Sequence, residues 1–168
     1  MRPPLTCAQT KVLQAQGFEH ICSAILKEYP GGIPLFHATS LENAEMILKD
    51  GLKPVDGKNY KSWSSDPQVY VQIGRSDYQS IERPVVLNAI APHSILQNAY
   101  ADLDGVDISE EDILMKYQVD ISGLDADTRD FILAFVQNNC SFDGLELMLR
   151  DMEPLDPTLF KIDSINFN

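Results

Sequence analysis

His37, Thr39 and Ser40 follow an apolar run, residues 33–36, and stand just ahead of a stretch with helical spacing. Imidazole offers one ring nitrogen as donor and one as acceptor, and a hydroxyl can be either. Where a strand ends and a helix begins, such side chains grip a ligand together with the free N–H groups of the helix's first turn. A carboxylate that could work on that ligand lies far along the chain. Glu146 alternates with Leu145 and Leu147, so a strand there buries the leucines and turns the acid to the opposite face, toward a cleft.

These groups need elements to hold them. Residues 33–36, preceded by Gly31-Gly32, predict a short buried strand. A helix follows, with Thr39 as cap and Glu42 completing a capping box. Leu41, Ala44, Ile47 and Leu48 form its apolar face, and Gly51 ends it. Upstream, Val12, Leu13, Phe18, Ile21, Cys22, Ile25 and Leu26 recur at helical spacing, which predicts one long helix over 5–29 or two broken near Gly17. Residues 53–62 read as a polar loop able to cover a ligand. Residues 61–65 read as a short strand. A helix is expected next, capped by Ser65 or Asp66, with Pro67 in its first turn and Val69, Tyr70, Ile73 and Tyr78 along it. Residues 85–90 predict a strand, residues 97–112 an acidic irregular stretch, and residues 113–117 and 128–139 helices.

The length of 168 residues suits one domain, with a helical segment at 1–32 and the working core at 33–168. The net charge of −12 disfavours a nucleic-acid partner, which needs clustered Lys and Arg against phosphate. The acidity serves solubility, or steers the chain toward a basic protein or mimics nucleic acid. No apolar run is long enough to span a membrane, and the first residues lack a secretory pattern, so a cytoplasmic location is expected. Cys7, Cys22 and Cys140 are odd in number without metal-ligand spacing, the pattern of reduced, mostly packing thiols. Asp102, Asp104 and Asp107 lack the regular spacing and terminal glutamate of a calcium loop, and no metal site is expected.

Two phrases resemble one family. Leu35-Phe36-His37-Ala38-Thr39-Ser40, followed by a helix of the form xxNAExILKxGL, resembles the opening motif of the ADP-ribosyltransferase fold, with Ala38 where a glycine is usual. The closing phrases FDGLELML and LDPTLFKIDSI resemble the last strands of small bacterial and phage-type members. The resemblance spans residues 33–90 and 140–165. It implies an α+β domain, a split pair of small, mostly antiparallel sheets around an NAD cleft, with an N-terminal helix across one side. It implies a mono-ADP-ribosyltransferase with NAD⁺ as substrate and a protein as acceptor: a toxin, a secreted effector delivered by a non-Sec route, or a phage-encoded inhibitor.

It also implies roles. His37 and the backbone of Ala38 hold the nicotinamide, with Thr39 beside them. Trp63, Ser64 and Ser65 line the pocket, the tryptophan stacking on nicotinamide and the serines near the ribose, and Tyr70 is the alternative aromatic. Breaking the bond between nicotinamide and ribose builds positive charge on the sugar, so a carboxylate must stand nearby. Glu146 is the first choice, Glu111 the second and Glu153 the third. Two other readings remain: an inactive acidic binding module on the same fold, and an RNA 2′-phosphotransferase, which shares the first motif but needs basic residues to hold its phosphate.

Overall fold

The computed structural model describes residues 5–55, 67–75 and 77–166. Two helices open it, α1 (Cys7–Leu13) and α2 (Phe18–Glu28), so the N-terminal segment takes the broken form. Thr6 starts α1 with a capping box: its side chain accepts from the Gln9 N–H while Gln9 Oε1 accepts from the Thr6 N–H. Then come β1 (Ile33–Thr39), α3 (Leu41–Asp50), β2 (Gln68–Ile73), β3 (Val85–Ala91), a 3₁₀ turn over His93–Asn98 and β4 (Ala99–Ala101). Helices α4 (Glu110–Tyr117) and α5 (Ala126–Gln137) precede β5 (Glu146–Arg150) and β6 (Lys161–Ile165).

The strands form one six-stranded sheet in the order β4-β5-β2-β1-β3-β6, with every pairing antiparallel. Alternation decides its faces. Ile33 and Leu35, Val69, Val71 and Ile73, Leu87 and Ala89, and Leu147 and Leu149 point to one side and are buried. Helix α5 seals that side with Phe131, Ile132 and Phe135, and α2 adds Ile21 and Ile25. Phe18 meets Phe131 edge-on at 5.7 Å between ring centroids, a favoured aromatic geometry. The opposite face carries Gln68, Tyr70, Gln72, Glu146 and Met148, the residues that alternate with the buried set.

The chain departs from sequence expectation in five places. The sheet is continuous, not a pair, although its middle seam is short: β1 and β2 are in register only at Leu35↔Ile73 and Phe36↔Gln72, whereas β1 pairs with β3 along its whole length. Residues 68–73, expected as helix, are strand β2. Val69, Val71 and Ile73 are β-branched and buried at every second position, and that period fits a pleated surface. The cap of α3 is Ser40, not Thr39: β1 runs on through Thr39, paired with Val85, and Ser40 Oγ accepts from the Asn43 N–H at 3.2 Å. The irregular stretch at 97–112 contains β4, held by Ala99↔Leu149 and Ala101↔Leu147, and the start of α4, with its capping box from Ser109 and Asp112. Cys7 is exposed rather than packed, while Cys140 is buried. The strand expected at 61–65 and the cap at Ser65 or Asp66 lie outside the described residues.

Gly51 ends α3 with φ 93° and ψ 166°, a region only glycine occupies without strain. A Cβ there would run into the Leu155 carbonyl oxygen. The close approach allows the Leu155 N–H to donate to the Leu52 carbonyl at 2.7 Å, tying the segment before β6 beneath α3.

Candidate functional site

Past Phe36 the two middle strands part. Among the described residues β1 continues with β3 as its only strand partner, and β2 runs away beside β5. The wedge between them is a cavity of about 560 Å³, within the usual size of a small-molecule site. His37, Ala38, Thr39 and Ser40 line one wall, from β1 and the start of α3, and Tyr70 and Gln72 of β2 line the other with Glu146 of β5. Arg83 and Tyr78, from the segment before β3, close a third side.

His37 spans the wedge. Its Nδ1 lies 2.7 Å from the Tyr70 carbonyl oxygen. A carbonyl can only accept, so Nδ1 carries the proton, and in the neutral ring Nε2 is left with its lone pair. Burial, chiefly, holds the imidazole pKa below its ordinary value. The hydrogen bond to Tyr70 opposes this and the positive charge of Arg83 adds to it. The ring is therefore neutral at neutral pH and acts as a hydrogen-bonding group rather than as a cation.

Glu146 begins β5 opposite Gln72, on the polar face that the alternation of Leu145 and Leu147 requires. Gln72 Nε2 donates to Glu146 Oε1 at a long 3.4 Å. Burial, first, and then the neighbouring carboxyl of Asp102 raise the Glu146 pKa, and Gln72 partly offsets them. Gln72 Oε1 is buried without a hydrogen-bond partner among the described residues. A buried acceptor in that condition costs stability unless a bound donor meets it.

Of the residues singled out in the sequence, the structure brings His37, Ala38, Thr39, Tyr70 and Glu146 to one cavity. Tyr70 stands on its wall rather than in a helical core. Trp63, Ser64 and Ser65 lie outside the described residues. Glu111, on the exposed side of α4, and Glu153, exposed beyond β5, are not part of this cavity's lining. Sequence reasoning missed Gln68, Gln72 and Arg83. The first two belong with Tyr70 to a polar set at every second position, a signal visible only once 68–73 is read as strand. Gln68 anchors that set: its Nε2 donates to the Tyr70 hydroxyl at 2.7 Å and its Oε1 accepts from Arg150 Nε at 3.0 Å. Among the described residues no cluster of three His, Cys, Asp or Glu is arranged to hold a metal ion. No helix among them is long and apolar enough to cross a membrane.

Set against protein-family models, curated proteins and solved structures, the chain has no significant match in any of the three comparisons.

Proposed function

We propose that this protein is an NAD⁺-dependent mono-ADP-ribosyltransferase that modifies a protein. The observation that carries the reading is the meeting of His37 and Glu146, distant in sequence, on the walls of one cavity where β1 and β2 part. The unpartnered Gln72 acceptor supports it. Tyr70 supplies an aromatic wall, suited to a flat heteroaromatic ring.

In this reading His37 and the backbone of Ala38 orient the substrate so that the bond between nicotinamide and ribose faces the open side of the cavity, an entropic contribution to rate. Glu146, as carboxylate, faces the positive charge that grows on the ribose and takes the proton of the attacking acceptor group. The bonding electrons leave with nicotinamide, and the acceptor's lone pair makes the new bond to the same ribose carbon. The acidic chain as a whole favours a basic protein as acceptor.

The test is mass spectrometry of NAD⁺ incubated with the purified protein and a bacterial or eukaryotic lysate. Free nicotinamide, together with one ADP-ribosyl unit added to a lysate protein, is the expected result. Glu146→Gln is expected to cut nicotinamide release by about 10²–10⁴-fold with NAD⁺ binding kept, and His37→Ala to weaken binding itself. Neither NAD⁺ binding nor nicotinamide release with any lysate would overturn the reading and leave a binding module.

A further inference from the structure

We infer that Asp102 is a positioning residue for Glu146: the two carboxyl groups stand side by side at the end of the β4–β5 ladder and share one proton, and Glu146 becomes a free carboxylate only when that proton leaves.

The register sets this up. Ala101 pairs with Leu147, so the next step along the ladder sets Asp102 beside Glu146, and the Asp102 N–H donates to the Glu146 carbonyl oxygen at 3.4 Å. Ala101 and Leu147 are both buried, and alternation therefore puts both acids on the polar face of the sheet. The Asp102 carboxyl is itself held. Its Oδ1 accepts the Asp104 N–H at 3.0 Å, the local turn that aspartate forms with backbone two residues on. That bond opposes a swing of the carboxyl away from its neighbour. Two adjacent carboxylates repel, and the repulsion is relieved when one proton lies between them in a hydrogen bond. The register sets the two carboxyls opposite each other on one face, and after burial the Asp102 carboxyl is the chief cause that raises the Glu146 pKa.

The groups around the pair leave the proton there. From β2 the neighbour is Gln72, a neutral amide. From the loop after β4 it is Asp104, whose negative charge adds to the repulsion. The remaining charged groups lining the cavity are Asp50, Lys53, Glu82 and Arg83, together with the titratable His37. None of these is among the groups that move Glu146.

The shared proton stands whatever the cavity binds. Its consequence, an acid limit on ADP-ribosyl transfer set by Asp102, rests on the transferase reading. The test is a titration of the Glu146 carboxyl carbon by NMR in the intact protein, the resonance being assigned by its loss in Glu146→Gln. Glu146 is expected to titrate above the ordinary glutamate range in the native chain. It should titrate at lower pH in Asp102→Asn, which keeps a hydrogen-bond donor but removes the second acid, and return toward the native curve in Asp102→Glu. Should Asp102→Asn not fold, Asp102→Ser is expected to show the same downward movement. Coincident curves for the native protein and a folded variant lacking the second acid would overturn the proposal. Where nicotinamide release is measurable, its acidic limb should move with the NMR curve. A displaced NMR curve without nicotinamide release from any protein leaves the proton pair standing and removes the transferase.

Discussion

Glu146 is held in a setting that disfavours its charge, and the cost shows in stability. A carboxyl whose pKa is raised in the folded protein binds more protons there than in the unfolded chain, so the stability it contributes is present below its unfolded pKa and is lost as pH rises through its folded one. At neutral pH, where the glutamate of the unfolded chain is ionised, the Glu146 carboxyl is a net burden. Glu146→Gln is therefore expected to raise the thermal midpoint at neutral pH, while the gain fades in acid; melting curves across pH check it. His37 behaves in the opposite sense. Its pKa is lowered, so the stability it contributes is present above the unfolded histidine value and is lost as pH falls through the folded one. His37→Gln is expected to flatten the acid side of the same stability curve. The two site residues most open to sequence reasoning were a histidine at a strand end and an acid alternating with leucines, because each stands out against apolar neighbours. Asp102 was not legible as a partner of Glu146. Only the pairing of β4 with β5 brings them together, and a three-residue strand of alanine and tyrosine carries little pattern.

At the scale of elements, the boundary between β1 and α3 separates two designs. With Ser40 as the cap, Ser40→Ala is expected to cost about 1 kcal/mol of stability, measurable by urea unfolding, and to loosen the helix start that lines the cavity. Gly51→Ala is expected to cost about 1–3 kcal/mol from backbone strain alone, with a further loss if the Leu52–Leu155 tie opens. The helices were legible because their apolar stripes are long: α2 and α5 each bury residues at helical spacing. Strand β2 was not. Val69, Tyr70 and Ile73 also fit a helical stripe, and a six-residue segment satisfies both periods until its neighbours choose. The choice here was made by β5, which pairs with every residue of β2 from Gln68 to Gln72, a long-range partner that local sequence does not announce.

At the scale of the molecule, the net charge of −12 gives the association step a signature. On the transferase reading, capture of a basic acceptor protein should slow as salt rises through the physiological range, where the screening length is about 8 Å, while nicotinamide release without an acceptor changes little. Stopped-flow binding and NAD⁺ hydrolysis measured side by side distinguish the two. The order of the strands in the sheet differs from their order in the chain, and this has a consequence during synthesis. β4 and β2 are both made before β5, yet they are joined only through it. Glu146 is the first residue of β5, the last of the interior strands to be made. A ribosome-bound chain can display His37, Tyr70 and Gln72 while still lacking the strand that carries the acid and supports both neighbours. On the transferase reading, a chain stalled or truncated before residue 146 lacks the carboxylate and is expected to release no nicotinamide from NAD⁺.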